Sequence, residues 1–431
     1  MKRKLSAMAA SYLLLSLVQN SIVPQGSNDA ANHPACRASG GGFNISTMSL
    51  SLRPIALNTA MCTDGSAAKM YVRTCCDGTD PGDFCNNTER IPQWVVVFGD
   101  GNSGGWCWDG PSCAARLQQQ PDLSSSKRLP EYFARDGGRD DYRVGIFSKS
   151  GEGNPNFYAS YTAYVPYCSS DLFLGNSSGE QAPFFRGRSI ALGAIDSLRD
   201  EMLASAVNSP GRSLQVVIVG GAGVMLLMDD IRARLPPGAD LSAVCDGCVL
   251  FDDGVQSDRA KPAPCKSGDA FSCTPSMTLP AATGLWAASM GACGAGWRCL
   301  LDSPARVASG LKPPRLLAQQ PLYDAPTRAA HAGMLDAAVR ARLTRALAAA
   351  GVSVGAACSR LPSASITRSS FFSVTFGGSR IPPLTYGSGL YSLLVGTNSS
   401  LVDTCEGVDC NPHCPTPTPK LGSGELRGEP R

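Results

Sequence analysis

Val216-Val-Ile-Val-Gly-Gly-Ala-Gly-Val-Met225 is the stretch on which the fold turns. Four β-branched residues in succession, with no polar alternation, read as a strand buried on both faces, the kind found inside a parallel sheet. The small residues that follow make a tight turn, and the apolar stretch beyond them is compatible with a helix. Working outward, Trp94-Val-Val-Val-Phe98, Val249-Leu-Phe251 and Leu316-Leu317 read as further buried strands. Leu192, Ile195, Leu198 and Met202 recur at helical spacing opposite Asp196, Arg199 and Asp200. A second helix is expected after Pro326, with Leu335, Val339, Leu343 and Leu347 on one face and Gly351 at its end. Strands interleaved with helices imply an α/β fold, a mostly parallel central sheet with helices on both faces. No internal repeat is visible, and no long linker divides the interior.

The N-terminus sets the compartment. Lys2, Arg3 and Lys4 precede an apolar run from Leu5 to Leu17, which reads as a secretory signal peptide over residues 1–24. No other stretch reaches the about 20 apolar residues needed to span a bilayer. The chain holds 18 cysteines between Cys36 and Cys414, and that number on a secreted chain predicts a disulfide-bonded extracellular protein. Cys245-Asp-Gly-Cys248 offers a weak metal signature, because no second pair stands at zinc-site spacing and only three histidines exist as partners. Neither a metal nor a cofactor is expected. Four sequons, at Asn44, Asn86, Asn176 and Asn398, fit surface glycans. The net charge is +3 with acids and bases interspersed, so no basic stripe points to nucleic acid or to an anionic membrane. Residues 25–55, rich in Gly, Ser and Asn, read as a flexible lead-in. Residues 56–414 read as the folded domain, and 415–431, with its Pro-Thr repeats, as a disordered tail.

Chemistry in such folds gathers where loops leave the carboxyl ends of strands. Two strand ends are unusual here. Phe98-Gly-Asp-Gly-Asn-Ser-Gly-Gly-Trp-Cys107 is a glycine-rich turn whose backbone N–H groups can approach an oxyanion closely. The other is the turn after Val219, a strand–turn–helix setting like the nucleophile elbow written G-x-S-x-G in serine hydrolases. Its central residue is Ala222, which carries no nucleophile.

These motifs resemble the Notum/pectin acetylesterase family. Gly104-Gly-Trp-Cys107 is similar to the family's GGWC loop, and Val165-Pro-Tyr-Cys-Ser-Ser-Asp171 to the I-P-Y-C-S-S-D of its Notum branch. Phe185-Arg-Gly-Arg188, Ser272-Cys-Thr-Pro275 with Leu285-Trp286, and Leu401-Val-Asp-Thr-Cys405 with Cys410-Asn-Pro-His-Cys-Pro415 also match, in family order. The resemblance implies an α/β-hydrolase fold acting on carboxylic esters, with branches that remove acetyl groups from pectin or a fatty acyl group from secreted Wnt proteins. Motifs of both branches occur, so the branches are not separable at this level.

Carried over by that resemblance, the family's G-x-S-A-G-G falls on Gly220-Gly-Ala-Gly-Val-Met225. Ala222 then takes the serine position and Gly223 the following oxyanion residue, while Val224 and Met225 are expected to crowd the turn. Asp324 fits the triad acid, and Leu361 in Cys358-Ser-Arg-Leu361 stands where the family's C-x-x-H has its histidine base. Gly105 and Trp106 keep the remaining oxyanion donors. In subtilisin, loss of the serine or the histidine costs on the order of 10⁶ in kcat. The expected protein is therefore a secreted pseudoenzyme that keeps a pocket for an ester-bearing glycan or an acylated extracellular protein. The alternative is an ester hydrolase with a relocated nucleophile, Ser103 in Gly101-Asn-Ser-Gly-Gly105, served by Asp324 and His331. His33 and His413 are read as non-catalytic, and Asp246 as a structural or pocket-wall carboxylate.

Overall fold

The structure is a computed structural model that describes residues 50–73, 92–99, 105–130, 132–133, 145–147, 157, 160–177, 179–180, 182–246, 250, 252, 273–288, 290, 296–301, 316–321, 341, 354–358 and 401–402. The chain divides into two compact units. Met1–Thr47 with Cys75–Thr88 form one, outside the described residues, and Met48–Thr74 with Glu89–Arg431 form the other. Every described residue belongs to the second unit.

Its described strands are β1 (Leu50–Pro54), β2 (Lys69–Arg73), β3 (Gln93–Phe98), β4 (Tyr132–Phe133), β5 (Tyr161–Val165), β6 (Gln215–Gly220), β7 (Asp240–Asp246), β8 (Leu316–Pro321), β9 (Val354–Cys358) and β10 (Leu401–Val402). They form one sheet in the order β10-β9-β8-β7-β6-β3-β5-β2-β1-β4. From β10 to β5 every pairing is parallel, whereas β2, β1 and β4 continue the sheet antiparallel. The helices are α1 (Gly110–Gln119), α2 (Gly187–Val207), α3 (Ala222–Leu226), α4 (Met228–Arg234) and α5 (Pro275–Leu285). This is the α/β-hydrolase-like, mostly parallel arrangement expected from the sequence.

The centre of the sheet explains itself chemically. Val95 and Val96 of β3, and Val216 through Val219 of β6, are 0 % exposed. Each contributes about 1.5–3 kcal/mol by leaving water, and their branched side chains suit a pleated surface. Trp94 stacks on Tyr161 with ring centres 4.8 Å apart, and its Nε1 donates to Ser205 Oγ at 3.1 Å, fastening α2 to the sheet. Leu192, Ile195, Leu198 and Met202 form the buried face of α2 as their spacing predicts. Helix α1 starts on a reciprocal box: Ser112 N donates to Asp109 Oδ1 at 2.7 Å, and Asp109 N donates back to Ser112 Oγ at 3.0 Å.

Two expectations need correction. The sheet reaches into the supposed lead-in: Leu50–Pro54 is strand β1, paired antiparallel with β2, and Leu50 is fully buried. Met48-Ser-Leu-Ser-Leu-Arg53 does alternate apolar and polar residues, a signal masked by the Gly/Ser/Asn-rich stretch that precedes it. The strand expected at Val249–Phe251 lies upstream as β7, and Leu250 is in no strand. Asp240 and Ser242 interrupt its apolar run, although Ser242 is fully buried. Of the helix expected after Pro326 only Ala341 is described, and it is helical, while Val249 and Phe251 lie outside the described residues.

Candidate functional site

Strands β3 and β6 lie side by side in parallel, with Val97 opposite Val219, so the turns that follow them leave the same edge of the sheet. That register brings the two unusual strand ends together. Past β6, Gly221 is extended (φ −79°, ψ −174°) and Ala222 opens helix α3. Ala222 is 0 % exposed, and Val224 and Met225 are 1 % exposed. A nucleophile elbow holds its serine on a strained turn with the hydroxyl presented outward. Here the non-glycine positive-φ positions among the described residues are Ser170, Leu172, Phe173 and Ala287. Ala222 is not one of them. It is an ordinary helical residue.

The expected crowding by Val224 and Met225 is absorbed by glycine and core. A Cβ on Gly220 would lie 2.8 Å from Val224 Cβ, so Val224 fits because residue 220 has no side chain. Met225 lies in the main hydrophobic core. At Gly223, a Cβ would stand 1.8 Å from the carbonyl oxygen of Leu172, so only glycine is accommodated.

Leu172 belongs to the loop that joins the two strand ends. Tyr167 Oη donates to the carbonyl of Gly105 at 2.9 Å and accepts from Leu172 N at 2.8 Å. Cys107 N donates to Ser170 O at 3.2 Å. Gly105, at φ +69°, and Trp106 are buried. Trp106 Nε1 donates to Thr278 Oγ1 at 3.1 Å on α5, and Trp286 Nε1 donates to Cys107 O at 2.9 Å. Disulfides Cys107–Cys113 and Cys62–Cys168 close off both ends of this assembly. The structure thus brings Gly105, Trp106, Ala222 and Gly223 to one place. Ser103, Asp324, His331, His413, His33 and Leu361 lie outside the described residues, as do the side-chain surroundings of Asp246 at the end of β7.

The loop is itself strained. Ser170, Leu172 and Phe173 have φ of 54°, 55° and 63°, and each left-handed non-glycine residue costs about 1–2 kcal/mol. Buried polar groups hold it there. Asp171 accepts from Phe173 N at 3.1 Å and from Gly187 N, at the start of α2, at 2.8 Å. Burial pushes its carboxyl up to about 7, against the pull of those backbone donors. Arg116 donates through Nε to Ser170 Oγ at 2.8 Å and through Nη1 to Gln120 Oε1 at 2.9 Å, and its guanidinium lies 5.9 Å from the Tyr167 ring centre. Burial pulls Arg116 below its usual range; it pushes the Tyr167 hydroxyl above its own, partly offset by the Arg116 charge. Sequence reading gave no role to Arg116, Tyr167, Asp171 or Leu172. The available signal was the polar run Ser169-Ser-Asp171 between the apolar Val165 and Leu172, since polar residues in such a setting need internal partners.

Cys245 of the C-x-x-C pair is disulfide-bonded. No group of three or more potential metal-binding side chains occurs among the described residues. No helix among them is long and apolar enough to cross a membrane.

A family profile described as Pectinacetylesterase matches residues 47–261. The palmitoleoyl-protein carboxylesterase notum2 of Xenopus laevis is 28 % identical over 262 residues, which is 58 % of this chain and 49 % of that protein. An inactive palmitoleoyl-protein carboxylesterase, notum1b of Danio rerio, is 33 % identical over 105 residues, 24 % of this chain and 67 % of that protein. The structure of the Wnt deacylase Notum from Drosophila superposes with a TM-score of 0.64 at 24 % identity, covering 85 % of this chain and 100 % of that one. The last likeness concerns the fold. The chain spans about half the length of the Xenopus notum2 relative, and less of the Drosophila Notum carboxylesterase at 26 %. With its profile match, its ordered motifs and a relative it covers over two thirds, the chain belongs to the Notum/pectinacetylesterase family.

Proposed function

We propose that this protein is a secreted pseudoenzyme of its family, a hydrolase scaffold that binds an ester-bearing glycan or an acylated extracellular protein without cleaving it. The observation that carries the reading is Ala222: a residue with no nucleophile, fully buried, in helical conformation at the end of the central strand. A triad delegates attack and proton transfer to a serine and a histidine, and an aspartate replaces neither. The second loss, Leu361 at the histidine position, rests on the sequence motif. Retention of Gly105, Trp106 and Gly223 in one buried assembly supports a preserved scaffold around the lost catalyst. A relative named as inactive supports the same direction.

Purified secreted protein, incubated with p-nitrophenyl acetate and octanoate, is expected to give no acyl-enzyme burst and no turnover above a heat-denatured control. A fluorophosphonate probe, which labels activated serines, is expected to leave it unlabelled. Turnover and labelling that both disappear in Ser103→Ala would overturn the proposal in favour of a relocated nucleophile.

A further inference from the structure

We propose that Asn176 is an N-glycan acceptor, and that its glycan gives the carboxyl end of helix α5 to solvent. This rests on the secreted reading of the N-terminus. Of the four sequons, Asn176-Ser-Ser178 is the one whose asparagine falls among the described residues. Residues 162–175 are buried without interruption, and Asn176 is the first exposed position after them. Its backbone is fixed while its side chain is not. Asn176 N donates to Trp286 O at 2.9 Å, Ser177 N to Phe185 O at 3.0 Å, and Arg188 N to Gly175 O at 3.1 Å. No described residue hydrogen-bonds the Asn176 side-chain amide. The acceptor nitrogen is therefore held outward on a pinned, irregular segment, with Ser177 rather than proline at the middle of the sequon. Asn208 is an internal contrast: it is exposed too, but Asn208-Ser-Pro210 lacks the hydroxyl two residues on.

The chemistry is a displacement. The side-chain amide nitrogen of Asn176 attacks the anomeric carbon of a lipid-pyrophosphate-linked oligosaccharide. A C–N bond forms, the bond from that carbon to the pyrophosphate oxygen breaks, the amide loses one proton, and the lipid pyrophosphate leaves. No oxidant or reductant is consumed. The bond from Asn176 to Trp286 sets the sugar beside the carboxyl end of α5, a helix with no charged residue whose last residue, Leu285, is exposed at 40 %. Sugar at that place hydrates an otherwise apolar end, so a protein partner engages another face.

The test is a peptide map of the full chain expressed in a eukaryotic secretory host. Deglycosylation by peptide-N-glycosidase F in ¹⁸O-water converts each occupied asparagine to labelled aspartate. Label at position 176 and none at 208 is expected, with Ser178→Ala removing one glycan step from the intact mass. Because the map is made on the native chain, the result does not depend on a variant folding. A secreted chain with label at Asn44, Asn86 or Asn398 but not at 176 overturns this inference alone. A chain with all four bare and held inside the cell overturns it together with the secretory reading.

Discussion

The carbonyl oxygen of Leu172 occupies the space in which a side chain on Gly223 would begin, 1.8 Å from the position of its Cβ. The contact sets the strained loop against helix α3, where both Leu172 and Gly223 are buried. Gly223→Ala is expected to destabilise the fold by on the order of 3 kcal/mol or more, because backbone rather than a flexible side-chain tip must move. A urea midpoint within error of the native one would show that the loop is not locked there.

Gly220 tests the same packing from the other side. Its hypothetical Cβ meets the Val224 side chain at 2.8 Å, a neighbour that can be shortened. Gly220→Ala alone should cost about 1–3 kcal/mol. Combined with Val224→Ala, it should cost less than the sum of the two single changes, since each relieves the other. Strict additivity of the unfolding free energies would show that the two residues do not compete for space.

Tyr167→Phe removes a hydroxyl that serves Gly105 O and Leu172 N together. The ring should keep its place against Phe173, 5.1 Å away between centres, so the loss is polar. Stripping one hydroxyl from between two buried backbone groups costs about 1–3 kcal/mol. The change should also speed hydrogen exchange at the Leu172 amide. Unchanged exchange there would mean that the loop is held by Arg116 and Asp171 without Tyr167.

Asp171 makes stability depend on pH. Its carboxyl titrates near 3.8 when unfolded and is raised to about 7 when folded. Between those values the folded state holds a proton that the unfolded state has lost, so stability is greatest below about 4 and falls as pH rises through 7. Its titratable neighbour Tyr167 does not cancel this, because burial raises the Tyr167 hydroxyl and keeps it neutral throughout the window. Denaturant midpoints should decline from pH 5 to pH 7.5 by the equivalent of a few kcal/mol, and Asp171→Asn should flatten the slope. A native slope of the opposite sign would sink the assignment.

How much of this was legible beforehand depended on what each residue had to say alone. Trp94–Phe98 and Val216–Val219 announced the two central strands, because an unbroken β-branched run has few other uses. β7 stayed hidden because Asp240, which is half-buried, and Ser242, which the neighbouring strands bury fully, both read as surface residues in isolation. The site was half legible: Gly105, Trp106, Ala222 and Gly223 follow strands and carry unusual composition. The loop that joins them was not, since left-handed φ at Ser170, Leu172 and Phe173 contradicts their local preference and is enforced by partners distant in sequence, Arg116 and Gly187 among them.

The helical backbone at Ala222 bears on whether catalysis can be put back. A serine installed there would start a helix turn instead of riding a strained elbow, and its Oγ would enter a position with no exposed surface. Burying that hydroxyl without a partner costs about 1–3 kcal/mol, so Ala222→Ser should lower the melting temperature. Pairing it with Leu361→His supplies both missing residue types and leaves the turn as it is. We therefore expect the double variant to hydrolyse p-nitrophenyl acetate within roughly tenfold of the native background, far short of the ~10⁶ that a working triad supplies. Loss of catalysis would then lie in the backbone as well as in two side chains. A burst of p-nitrophenol from the double variant, stoichiometric with protein, would show instead that the elbow still forms when a serine occupies it.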